Sequence, residues 1–188
     1  IHDPDDHWEQ AISEAYPALE ELRSQGVVKA IGAGMNQWEM EARFSREGDF
    51  DCFLLAGRYT LLDQLSLDEF MPLCDEKNIS VVLGGPYNSG ILASDLGPNT
   101  TYDYLVAPPE IVEKARSIKA VCDRHDVPLK AAALQFGLSH PAVAATIPGS
   151  RSVAELDENI SMVRQPIPSD LWAELKHEGL IVADAPVG

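Results

Sequence analysis

A strand, a glycine-bearing turn and a helix start follow one another near the end of the chain. Val143-Ala144-Ala145-Thr146-Ile147 reads as the strand and Pro148-Gly149-Ser150-Arg151-Ser152 as the turn, with the helix beginning at Val153. Such a junction aims unpaired backbone N–H groups and the positive end of a helix at one point, and phosphate is the natural occupant. Ser150 adds a hydroxyl donor and Arg151 a cation. The same residues also fit a plain capped helix, with Ser152 as N-cap and Glu155 completing a capping box.

Three more clusters carry chemistry-bearing residue types. Leu83-Gly84-Gly85-Pro86-Tyr87-Asn88-Ser89-Gly90 leaves the end of an apolar run, and its glycines and serine permit close backbone approach to a ligand; a flexible loop is the other possibility. Gly32-Ala33-Gly34-Met35-Asn36 ends another apolar run and offers room for a flat ring, or a tight strand-to-helix turn. His2-Asp3-Pro4-Asp5-Asp6-His7 gathers imidazoles and carboxylates, types that suit a metal ion. They equally suit a single catalytic histidine in a polar surround. If a metal binds, the chain is a metal-dependent hydrolase using His2, Asp5, Asp6 and His7. His125, His140 and His177 fall in helical or helix-end segments and read as solvated.

The elements that must position these clusters alternate. Apolar spacing predicts helices over 8–25, 38–44 (capped near Asn36), 67–77, 110–125, 129–139, 152–163 and 169–178. Short apolar runs predict strands over 27–33, 50–56, 79–83 and 143–147. Each strand is apolar throughout, as expected when both faces are covered. The alternation means a parallel sheet with helical crossovers, either an open doubly wound sheet or half of an eight-stranded barrel. In both, ligands bind at the carboxyl ends of the strands, where three of the glycine-bearing clusters lie. The stretch from 84 to 109 is too long for a mere connector.

Bulk properties narrow the function classes. Net charge is −16, from 30 acidic and 14 basic side chains. A nucleic-acid or anionic-membrane surface needs clustered Lys and Arg, so neither partner is expected. No apolar stretch approaches the roughly 18 residues of a membrane-spanning helix. Cys52, Cys74 and Cys122 are dispersed and odd in number, as for free thiols in a cytoplasmic protein. The chain opens at Ile1 without methionine and reaches functional residue types at once, as expected of a segment of a longer chain.

These motifs resemble the aldo-keto reductase family across essentially the whole chain, above all its aldose and pyridoxal dehydrogenase subgroup. Ile147-Pro148-Gly149-Ser150-Arg151 followed by Glu155, Glu158 and Asn159 looks like the family's Pro-Gly-x-Arg…Glu-Asn signature. The resemblance implies a (β/α)8 barrel of which this chain covers about the second half, from the end of strand 4 to the C-terminal helices. It implies an NAD(P)-dependent oxidoreductase acting on a sugar or a small aldehyde or alcohol. Gly149, Ser150 and Arg151 would lie along the adenosine phosphate and ribose, and Glu158 and Asn159 on the adenine. Members that prefer a 2′-phosphate place basic residues where Gly149 and Glu155 stand, so NAD is expected over NADP. Gly85-Pro86-Tyr87-Asn88-Ser89-Gly90 resembles the family's Ser-Pro-Leu-Gly-x-Gly loop that clasps the pyrophosphate, with Pro86, Ser89 and Gly90 carrying over. Gly84 replaces an aromatic that stacks on nicotinamide, and Tyr87 is the candidate to compensate. Gly34 and Met35 stand where carboxamide-holding residues occur, with Asn36 as the remaining amide contact, and Ala56 replaces a glutamine. His2 corresponds to a catalytic histidine. The Asp, Tyr and Lys that complete the set fall upstream of Ile1, so the chain is expected to be inactive alone, a cofactor-binding fragment completed by the other barrel half or by a homo-oligomer partner.

Overall fold

Helix starts and ends follow local chemistry closely. The computed structural model describes residues 1–188. Segments Trp8–Gln10, Ala11–Ala15 and Tyr16–Ser24 run on unbroken as α1, and the middle one is a π-helical turn. Pro17, just past that turn, has no N–H to return to the preceding helical turn, which is a known cause of such a bulge. Strand β1 (Gly32–Met35), α2 (Trp38–Glu47), β2 (Cys52–Ala56), α3 (Phe70–Lys77) and β3 (Ser80–Gly84) follow. A hairpin of β4 (Thr101–Tyr102) and β5 (Leu105–Val106) comes next, then α4 (Pro109–Arg124), α5 (Leu129–Leu138), β6 (Val143–Ile147), α6 (Val153–Val163) and α7 (Ser169–His177).

The main sheet is parallel, in the order β1-β2-β3-β6. Neighbours in the sheet are neighbours in the chain, so it never reverses direction as a doubly wound sheet does. Residues 1–3 lengthen it on the β1 side. The backbone nitrogen of Ile1 donates to the carbonyl of Gly32 (2.7 Å), Gly34 N–H to Ile1 (2.9 Å) and Asp3 N–H to Gly34 (3.0 Å).

Only one sheet face is covered, contrary to the expectation of two. Ala33, Met35, Phe53, Leu55, Val81 and Leu83 are buried under the helices. The alternate residues form a barer face of mostly small side chains, including Gly34, Cys52, Ala56 and Gly84. On it Leu54 is 37% and Ile147 54% exposed. Helices confined to one face are the mark of a barrel wall rather than a doubly wound sheet.

Other departures have local causes. Strand β1 begins at Gly32 rather than at 27, because Gly26 takes φ +73° and the N–H groups of Val27 and Val28 both return to Leu22. This helix-ending turn overrides the β preference of the two valines. Helix α3 starts at Phe70, which puts Pro72 in its first turn, where a missing N–H is tolerated. His140 is buried, not solvated: its Nδ1 accepts from Ala142 N–H (3.1 Å) and its ring stands edge-on to Tyr59.

Helix α2 buries one acid. Glu41 is fully buried and neither carboxylate oxygen has a hydrogen-bond partner. Burial pushes its carboxyl well above the ordinary value of 4.5. A proton held in the folded state and lost in the unfolded one destabilises progressively as pH rises above 4.5. Glu41→Gln is therefore expected to flatten the pH dependence, gaining about 1–3 kcal/mol on the parent between pH 5 and 8. Urea unfolding across that range checks it, and parallel curves for the two proteins would refute it.

Candidate functional site

The loops leaving neighbouring strands β3 and β6 face each other across a cleft of about 830 Å³. Gly85, Pro86, Tyr87, Ser89 and Gly90 line one side. Gly149, Ser150 and Arg151 line the other, with Glu155 and Glu158 from α6. The volume suits a ligand of nucleotide size. Two glycines keep it open: a Cβ at Gly90 or Gly149 would meet nothing within 4 Å, so any side chain there would take up ligand space.

Local chemistry sets the β6 side. Ser152 caps α6, its Oγ accepting from Glu155 N–H (3.2 Å). The Glu155 carboxylate reaches back to accept from Arg151 N–H (2.6 Å). The Arg151 side chain stays 93% exposed, with only a loose 3.6 Å contact to Glu155. On the β3 side, Asn88, Ser89 and Gly90 all take positive φ, which turns the backbone sharply at the cleft.

Side chains then tie the two sides together. Tyr87 Oη donates to Asn159 Oδ1 (2.7 Å), and Asn159 Nδ2 donates to Ser150 Oγ (3.0 Å). Burial raises the Tyr87 phenol above its ordinary pKa. Lys130, from the first turn of α5, donates to Glu158 Oε2 (2.7 Å) and lies 5.6 Å from the centre of the Tyr87 ring.

The β1 residues lie apart from this cleft. Gly34 sits on the bare sheet face, where its Cβ would come within 3.2 Å of Leu54 Cβ. Gly84, at the end of β3, lies on the other side of Leu54, and a Cβ there would come within 3.1 Å of Leu54 Cδ2. Met35, the residue after Gly34, is buried in the core at 2% exposure. Asn36 does not cap α2. Its Nδ2 donates to the carbonyl of Ala56 (2.8 Å), bridging the ends of β1 and β2.

His2 stands at the far side of the sheet from β6, beside Gly34, with its side chain 90% exposed. Four strand spacings of about 4.8 Å separate them, so the sheet edge from His2 to β6 spans roughly 19 Å. His2, Asp5, Asp6 and His7 do not converge: no group of three or more His, Cys, Asp or Glu side chains is placed to hold a metal ion. This removes the ligand set on which a metal hydrolase was considered.

Three cleft residues escaped the sequence reading: Lys130, Tyr104 and Ala93. Nothing in local spacing marks Lys130. Tyr104 had a signal, the Thr101-Tyr102-Asp103-Tyr104-Leu105-Val106 run that forms the hairpin. Asp103 and Tyr104 both take positive φ at its tip, a turn usually made by Asn-Gly or Asp-Gly. Arg58 clamps the tip by two bonds to Asp103 (3.0 and 2.9 Å), and Ser89 Oγ accepts from Tyr104 N–H (3.0 Å).

A sequence model of the aldo/keto reductase family matches residues 1–178. The chain belongs to the aldo/keto reductase family. Pyridoxal 4-dehydrogenase from Microbacterium luteolum is 42% identical over 93% of this chain and 52% of its own length. D-threo-aldose 1-dehydrogenase from a Pseudomonas species is 41% identical over 96% of this chain and 56% of its own. The chain thus spans about half the length of these relatives. An aldo-keto reductase from Bacillus halodurans, in its apo form, superposes with a TM-score of 0.74 at 24% identity, over 100% of this chain and 62% of that one. The parallel sheet with helices on one face is accordingly the α/β barrel fold of the aldo/keto reductases. No helix is long and apolar enough to cross a membrane.

Tyr87, the candidate to compensate for Gly84, lines the cleft from the β3 loop. Its ring is buried and its hydroxyl is committed to Asn159 on α6, at the β6 side of the cleft.

Proposed function

We propose that this chain is the dinucleotide-gripping second half of an aldo/keto reductase barrel that oxidises an aldose or a small aldehyde or alcohol with NAD. The observation that carries this is the cleft between the β3 and β6 loops, with open glycines on both sides and a capped helix start aimed into it. When bound, the nicotinamide ring exchanges a hydride with the substrate carbon. The chain's own groups bind and orient. The backbone N–H groups of Tyr87 and Ser89 in the first loop and of Gly149 and Ser150 in the second face the phosphates, the Arg151 side chain adds a cation, and Glu158 faces the adenine. Gly34 and Gly84 leave room for a flat ring on the bare sheet face, and Asn36 stands beside it. His2 orients the substrate oxygen. Glu155 in the cleft disfavours a 2′-phosphate, which makes NAD the preferred cofactor.

Proton transfer needs an acid that this chain does not offer at the site. Tyr59 is buried at 1% exposure and Tyr87 is committed to Asn159. The bare sheet face and the exposed apolar stripe of α6 (Val153, Leu156, Ile160 and Val163) fit completion by further barrel units carrying the family's Asp, Tyr and Lys. A copy of this chain is the alternative partner. Either way, this segment alone grips the cofactor without turning it over. Free Cys52, Cys74 and Cys122 suit a reducing, cytoplasmic setting.

Titration of the protein with NAD, followed by fluorescence or calorimetry, tests this. One dinucleotide should bind per chain with no metal added. Arg151→Ala should weaken it by about fivefold, a modest effect because the side chain is so exposed. Failure to bind NAD or NADP would overturn the proposal.

A further inference from the structure

Two buried side chains join the cleft walls, and neither wall could hold them alone. The path runs from Tyr87 in the β3 loop through Asn159 on α6 to Ser150 in the β6 turn, by bonds of 2.7 and 3.0 Å. Tyr87 is 8% and Asn159 3% exposed, so water competes little for these bonds. The Asn159 carbonyl oxygen and one of its amide hydrogens are taken up within the protein. Lys130 braces the assembly from a third element, lying against the Tyr87 ring and ion-paired with Glu158, the neighbour of Asn159. Below the loops, the pairing of β3 with β6 shifts register between Val81 and Val82. Such irregularities re-aim a strand end. The side-chain bridge lies beyond the shift and ties the two loops a second time.

We infer that Tyr87 and Asn159 are positioning residues, a clasp that holds the two glycine loops at the separation where both can face one dinucleotide. The inference rests on the dinucleotide reading proposed above. It gives Asn159 a different task from a direct adenine contact. A ligand that touches both loops depends on the clasp, whereas one that touches only the β6 turn does not. NAD is the first kind of probe and AMP the second.

The test compares NAD and AMP binding to the parent, Tyr87→Phe, Asn159→Ala and the double variant, with thermal melting alongside. Tyr87→Phe removes only the hydroxyl and keeps the ring against Lys130. It should weaken NAD by about tenfold, the upper range for one buried hydrogen bond, and leave AMP within about twofold. Asn159→Ala should do the same, and the double variant should be no weaker than Asn159→Ala alone, because both act through one bridge. If Asn159→Ala does not fold, Tyr87→Phe decides by itself. The clasp is overturned if Asn159→Ala weakens AMP as much as NAD while Tyr87→Phe changes neither. Equal losses for both ligands with a lowered melting point also overturn it, since that is general loosening. No NAD binding by the parent protein would remove the dinucleotide reading, and the clasp with it.

Discussion

Glu155→Gln is expected to move cofactor preference towards NADP by about tenfold, and Glu155→Arg by about a hundredfold. The carboxylate lines the cleft and lies one helical turn past Arg151. A charge facing a 2′-phosphate at effective dielectric near 20 is worth about 1–3 kcal/mol, so neutralising it and then reversing it should act in two steps. The two variants differ in stability. Glutamine retains an oxygen for the Arg151 N–H that Glu155 now satisfies at 2.6 Å, while arginine loses it, at about 1 kcal/mol. The ratio of NADP to NAD dissociation constants checks the prediction. A ratio unmoved by both variants would mean that Glu155 does not face the 2′-position, and the NAD preference would lose its physical basis.

Gly32→Ala is expected to destabilise the protein by about 3 kcal/mol or more, the largest effect of any single methyl group considered for this chain. Its Cβ would stand 2.1 Å from the carbonyl oxygen of Cys52 and 3.0 Å from Cys52 Sγ. The obstacle is backbone of the neighbouring strand, so no side chain can swing aside. Strands β1 and β2 would have to part, and the Gly32 carbonyl also accepts from the backbone nitrogen of Ile1. Gly149→Ala is the control, because its Cβ meets nothing within 4 Å; it should cost under about 0.5 kcal/mol. Chemical denaturation of both variants gives the comparison. Similar losses for the two would show that close approach at Gly32 does not govern the pairing of β1 with β2.

Much of this molecule was legible from short-range pattern. The strand over 143–147, its turn and the capped helix came out as read, because they depend on residues within about ten positions of one another. The glycine loop after β3 was legible for the same reason. Misreadings arose where distant segments or a helix end decided the outcome. Val27 and Val28 look like strand residues, yet they are held by the end of α1. Along β1, alternation turns Met35 into the core while Gly34 faces the bare side.

The sequence by itself determined the alternation of helices with the four strands of the main sheet, and the family to which the chain belongs. It could do so because helix caps, glycine turns and hydrophobic period are local, and because the family motifs are contiguous. Only the tertiary structure decided that the β3 and β6 loops share one cleft, that Lys130 joins them, and that the Asn159 side chain bonds residues 72 and 9 positions away. It also dispersed His2, Asp5, Asp6 and His7 rather than gathering them around an ion. The physical reason is the same in each case. A hydrogen bond or ligand set is defined at a scale of about 3 Å, and which distant groups come that close is set by packing of the whole sheet and its helices.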